Sequence, residues 1–237
     1  MASRKDEKEQ RRAERLARES QDAEAARRRR VYSIVVGGVL AVAAIAAVVV
    51  AVAAGGGDSD GGHSGRVPAG KGSYDGAADP PPQQETDLVR AAAAADCRLS
   101  NPVIEGRSHI QPDEKVTYKT NPPTSGNHDP EPAADGVYAD PVSAQDIRHL
   151  VHTLEHGRVE IQYDPSLPKR DADRLGGLFN EDPYHMALLP NARMKDYQVA
   201  ATAWGHLIGC TKLTDETFDA LRAFRERYRD QGPEQAP

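Results

Sequence analysis

The run His152-Thr-Leu-Glu-His156-Gly157 puts two imidazoles and a carboxylate within a turn and a half of chain. Side chains four residues apart share one face of a helix, so His152 and His156 can reach a single metal ion. Glu155 falls where the H-x-x-E-H peptidase motif keeps its general base. The segment Asn121-Pro-Pro-Thr-Ser-Gly-Asn-His128 has two prolines and a glycine and must be a loop. His109 and His128 are the loop residues placed to complete a ligand set with His152 and His156. Imidazole suits Zn, Cu or Ni, so Zn or Cu is the expected metal, and Met186 and Met194 leave a softer copper site open. The alternative is structural: histidines at a helix C-terminus meet the dipole there and bond loop carbonyls.

The elements that must carry these residues can be read around them. Ser143 caps a helix over 144–156, and Gly157 stops it. At 100° per residue Ile147, Leu150, Val151 and Leu154 fall within about 100° of one another. His149, His152 and His156 fall within about 60° on the opposite side, facing solvent or a cleft, and His149 reads as a surface residue. Residues 158–164 alternate as a strand, with Val159, Ile161 and Tyr163 on one side. A helix is expected over 171–180, strands over 185–189 and 198–208, and a last helix from Thr214 to Arg229. Residues 116–120 form a further strand candidate, and 86–95 a short helix. This order indicates an α+β domain with a mostly antiparallel sheet and flanking helices.

The peptidase reading is weak, because Gly157 ends the helix at the motif and a strand begins at once. The domain is also small for such an enzyme. No phosphate loop or nucleophile elbow occurs, and Ser125 beside Gly126 is turn chemistry.

The two cysteines, Cys97 and Cys210, are expected to form one bridge. In the chain-entropy model a loop of that size contributes roughly 4–5 kcal/mol. Seven of the eight histidines lie between these cysteines.

Residues 1–30 hold eleven Lys or Arg and seven Asp or Glu. Residues 31–54 carry no charge over 24 positions, long enough for a helix to cross a bilayer. Arg27-Arg28-Arg29-Arg30 before this stretch places the N-terminus in the cytoplasm by the positive-inside rule. The expected organisation is a charged cytoplasmic segment (1–30), a transmembrane helix in membrane lipid (31–54) and a flexible spacer (55–95). An extracytoplasmic domain (96–230) and a disordered tail (231–237) complete the chain. A cleaved signal peptide ending at Ala51-Val-Ala53 is the rival. The net charge of −6 shows no basic face, so nucleic-acid binding has no support.

The chain resembles the bacterial, mainly actinobacterial, family DUF3105. The resemblance rests on Asn121-Pro-Pro-Thr-Ser-Gly-Asn-His128, Val151-His-Thr-Leu-Glu-His-Gly157 and Thr202-Ala-Trp-Gly205, with Gly232-Pro-Glu234 a fainter echo. Asn127 and Asp129 depart from the usual flanks of His128. The resemblance implies a membrane-held domain outside the cytoplasm and singles out His128, His152, Glu155, His156 and Trp204. It implies no established activity.

The reading is a single-pass membrane protein whose outer domain is a binding module with a His-based site rather than an enzyme. An envelope scaffold with an unidentified protein partner is the alternative, and a metal-dependent hydrolase the second.

Overall fold

A computed structural model describes residues 70–111, 114–141, 143 and 146–234. The charged segment, the apolar span and the first part of the spacer lie outside the described residues. Among those described, no helix is long and apolar enough to cross a membrane.

The described residues form four helices and six strands. The strands are β1 (Cys97–Ser100), β2 (Gly136–Val137), β3 (Val159–Tyr163), β4 (Met186–Pro190), β5 (Val199–Ala203) and β6 (His206–Cys210). The helices are α1 (Leu88–Ala94), α2 (Asp146–Glu155), α3 (Lys169–Glu181) and α4 (Asp215–Tyr228). One sheet runs in the order β1-β6-β5-β3-β4-β2. β1, β6, β5 and β3 pair antiparallel. β4 runs parallel to both β3 and β2. The sheet is therefore mixed, with three antiparallel ladders and two parallel ones, in an α+β domain. The cause lies in α3, since a helical crossover from β3 to β4 returns the chain in the same direction. Where only Trp204-Gly205 intervenes, β5 and β6 form a hairpin. Gly205 takes the positive φ of 74° that this tight turn needs.

One face of the sheet is apolar. Val159 and Ile161, Met186 and Leu188, Val199 and Ala201, and Ile208 pack there against α1, α3 and α4. Phe179, Phe218 and Phe224 fill the space between. On the other face the strands present Glu160, Gln162 and Thr202 beside Ala187 and Leu189. Here α2 lies with Ile147, Leu150 and Val151 against Ala187 and Leu189, as the apolar stripe requires. The bridge is formed: Cys97 and Cys210 sit opposite one another across β1 and β6, joined by a disulfide.

Three expectations change. The end of the spacer is part of the domain. Lys71 and Val137 exchange backbone hydrogen bonds at 2.9 and 2.7 Å, and Asn180 bonds both backbone groups of Tyr74. Arg222 donates to the Pro81 carbonyl at 2.8 Å, while Ala91, Ala92 and Ala95 enter the main core. Gly176 and Gly177 allow this: a Cβ on the first would collide with the Tyr74 ring, and on the second with the Ala78 carbonyl. Residues 116–120 form no strand, because side chains take their donors; Lys119 N donates to the Glu105 carboxylate at 2.9 Å. The start of the tail is also bonded. Asp230 N donates to Gly157 O at 2.8 Å, and Glu234 N to Glu155 O at 3.1 Å.

Replacing a free helical glycine by alanine stabilises a helix by about 1 kcal/mol. Gly177→Ala should do the reverse here, destabilising by about 1–3 kcal/mol through overpacking. Denaturant midpoints measure this, and a gain in stability would show that 77–80 does not lie on α3.

Candidate metal centre

The site is built where α2 meets the loop between β1 and β2. Ser143 and Asp146 bond reciprocally at the helix start, Asp146 N to Ser143 Oγ at 3.1 Å and Ser143 N to Asp146 Oδ2 at 2.8 Å. At its other end Gly157, with φ 84°, turns the chain into β3. The loop doubles on itself beside the helix. Ile110 N donates to His128 O at 2.9 Å and His128 N to Ser108 O at 3.1 Å, so His109 and His128 lie side by side. Ser125 is structural, its hydroxyl accepting from Glu105 N at 3.0 Å. The Tyr118 hydroxyl donates to Asn127 O at 2.8 Å, and Gly205 N donates to Thr124 O at 2.8 Å, which ties the loop to the β5–β6 hairpin.

Three rings are set by loop carbonyls. His128 Nδ1 lies 2.8 Å from Gly126 O, His152 Nδ1 2.8 Å from Asp129 O, and His149 Nδ1 2.6 Å from Glu131 O. A carbonyl only accepts, so each Nδ1 carries a proton, and in a neutral ring Nε2 keeps its lone pair. Burial holds His152 well below the ordinary imidazole value, at about 4, against the raising effect of its bond to Asp129. The rings of His128, His156 and His109 lower it further. Burial also lowers His156, with Glu234 opposing. His152 is thus neutral at pH 7, and its Nε2 lone pair meets His156 Nε2 at 3.0 Å.

These lone pairs converge. His109, His128, His152 and Glu155 each offer a ligand atom, all within 4.8 Å of one another. His128 Nε2 is buried 3.0 Å from Glu155 Oε2, yet it makes no hydrogen bond of acceptable geometry. An imidazole nitrogen and a carboxylate oxygen at contact distance can hold a proton or a metal ion between them. His152, His156 and Glu234 form a second group, with His152 Nε2 3.0 Å from His156 Nε2 and Glu234 Oε2 3.9 Å from the latter.

The expected residues are thus gathered, but in two groups rather than one: His109, His128 and His152 with Glu155, and His152 again with His156 and Glu234. Trp204 stands edge-on to the His128 ring, centroids 6.2 Å apart. His149 is buried rather than at the surface, because Glu131 covers it. His185 bonds Asp230 and stacks on Tyr184, and His206 stacks on Tyr228; both lie outside the two groups. The methionines do not join: Met186 is in the main core, and Met194 packs with Ala200 and Leu207.

Two acids went unrecognised in the sequence. Glu234 was signalled only by the Gly232-Pro-Glu234 echo. Glu160 is fully buried under α2, and its signal was a charge on the far face of an alternating strand. Thr153 Oγ1 lies 2.7 Å from Leu150 O and 3.0 Å from Glu160 Oε1. The hydroxyl has one proton for two acceptors, so Leu150 O and Glu160 Oε1 share it as donor. Gln162 Nε2 donates to the other carboxyl oxygen at 2.8 Å, and Asn191 Nδ2 to Gln162 Oε1 at 2.7 Å.

A family described as "Protein of unknown function (DUF3105)" matches residues 109–237, more than half of the chain and every residue of both groups. No curated protein and no solved structure matches the chain.

Burial, the largest influence, pushes Glu160 from 4.5 up to about 8. The native state then keeps a proton that the unfolded chain releases, so this group's contribution is present at low pH and lost as pH rises through about 8. Glu160→Gln keeps the shape of the protonated acid and cannot ionise. Its unfolding free energy relative to wild type should climb between about pH 5 and 8 in denaturant titrations. A pH-independent difference would show that Glu160 is ionised in the fold.

Proposed function

The chain belongs to the DUF3105 family, and we propose that its folded domain is a binding module for one divalent transition-metal ion. The ligands are His109, His128, His152 and Glu155. One observation carries this: four donor atoms lie within 4.8 Å, with His128 and His152 turned Nε2-inward by backbone carbonyls. Ring Nδ1–H groups bonded to carbonyls are the usual outer support of metal-bound histidine. A tetrahedral set at 2.0–2.1 Å has ligand atoms roughly 3.4 Å apart, so binding draws this group in by about 1 Å. Three imidazoles and a carboxylate suit Zn(II), Cu(II) or Ni(II). Cu(I) is disfavoured, because both cysteines are in the disulfide and both internal methionines are packed elsewhere.

The domain works outside the cytoplasm, held to the membrane by residues 31–54. The disulfide supports an oxidising compartment, and the hydropathy of the span supports the anchor. Glu155 is a ligand rather than a general base, since its carboxylate touches His128 within the donor group. This disfavours the hydrolase reading. A scaffold reading, with an envelope protein as partner, draws support from the Nδ1 bonds of His149 and His152, which hold 129–131 on α2 without any metal.

Trp204 is the single tryptophan, so its emission reports on the neighbouring His128. The full chain, purified in detergent without a histidine tag, should bind one equivalent of Zn(II), Cu(II) or Ni(II) and change that emission. Loss of an outer-shell partner alone costs about 10–100-fold in metal affinity. His128→Ala and His152→Ala remove ligands and should each weaken binding by at least about 100-fold. If none of the three metals binds the wild type or raises its melting temperature, the scaffold reading stands.

A further inference from the structure

The two donor groups share His152, and that sharing has a chemical consequence. His152 Nδ1 is committed to Asp129 O at 2.8 Å, leaving Nε2 as its one donor to a metal. One lone pair serves one ion. The groups are therefore alternatives, not two seats filled at once.

They also differ in access. His128 and His152 are 0% and 3% exposed. The side chains of His156 and Glu234 are 12% and 55% exposed. The ring centroids step inward, 4.4 Å from His156 to His152 and 4.7 Å from His152 to His128. Glu234 is held in register with this series. Its backbone N–H donates to Glu155 O, and Gly232 lies so close to that carbonyl that a Cβ would collide with it. An ion about 2.1 Å from both His152 and His156 would see their nitrogens, 3.0 Å apart, at roughly 90°, an acceptable angle between neighbouring ligands.

We propose that His156 and Glu234 form an outer, transient metal position, from which a divalent ion passes inward by ligand exchange at His152 Nε2. Glu234 supplies negative charge at the mouth and His156 the first nitrogen. The ion then trades these for His128, His109 and Glu155 while His152 stays bound. Reversal of the same path releases it. This rests on the proposed metal-binding reading and adds a route to it.

The test uses the full chain, with Zn(II) or Ni(II) alone as probe and Trp204 emission tracked by stopped flow. Equilibrium affinity is measured separately, by competition with a chromogenic chelator. In His156→Gln and in Glu234→Gln, association and dissociation should slow together, on the order of tenfold, because loss of a stepping position raises the barrier in both directions. Stoichiometry should remain one and the equilibrium constant nearly unchanged. Glu234 is more than half exposed, so this variant should fold normally. If either variant loses as much equilibrium affinity as His152→Ala, its residue is a resident ligand and the outer position is wrong. Unchanged rates, or two ions bound at once by the wild type, overturn the proposal equally. No binding by the wild type refutes the metal reading itself, and that result is obtained first.

Discussion

The structure depends on hydrogen bonds from histidine Nδ1 to the carbonyls of Gly126, Asp129 and Glu131. The loop between β1 and β2 has almost no regular pairing, and a buried backbone must still meet its polar groups somewhere. Rings at His128, His149 and His152 meet them. Gly126 and Asp129 are buried, and a carbonyl orphaned at either would cost about 1–3 kcal/mol, so turning those rings over would destabilise the loop. The same bonds decide which nitrogen faces inward. Folding the loop onto α2 and aiming the Nε2 lone pairs are therefore one event.

For that event α2 must sit at one rotation about its axis. Ile147, Leu150 and Val151 fix one side of it against Ala187 and Leu189. Thr153, between His152 and Leu154, fixes it from below by its contact with Glu160. A charged Glu160 would be costly in so dry a place, and the neutral acid, bonded through Gln162 to Asn191, gives the helix a polar seat without a buried charge. What is left of the helix surface is the histidine face, turned toward the loop. The strands thus serve two purposes: an apolar face that holds the domain together and a polar face that orients one helix.

Much of this was legible. Spacing alone separated Ile147, Leu150, Val151 and Leu154 from His149, His152 and His156, because both periodicities come from helix geometry. An even cysteine count indicated the bridge. Most helices and central strands were readable from alternation and caps. The failures have physical causes. Gly and Pro in 70–85 suggested a free spacer, but such composition also suits an extended segment lying in a groove, and the groove depends on Gly176 and Gly177, about a hundred residues away. His149 looked exposed because a helix plot shows which face a residue takes and not what covers it. Glu234 was invisible to local spacing, being brought to His156 by the fold of 230–234 onto the helix end.

The same non-local effect bears on what Glu155 can do. In a metal-dependent hydrolase the carboxylate beside the ligands must stay off the metal and near a water, which needs open space at the end of the motif. Here α2 ends at Glu155 itself, Gly157 turns the chain away, and 230–234 closes over the helix end. Glu155 is left facing His128 with a side chain only 6% exposed. A carboxylate in that position is placed to balance a cation, which favours the proposed ligand role over that of a general base. Burial keeps His152 neutral, so its ring supplies no positive charge to the group. The meaning of the H-x-x-E-H spacing thus depends on the chain beyond it. More helix after the motif leaves a base free, whereas a glycine turn and a returning tail favour the proposed role of its glutamate as a fourth ligand.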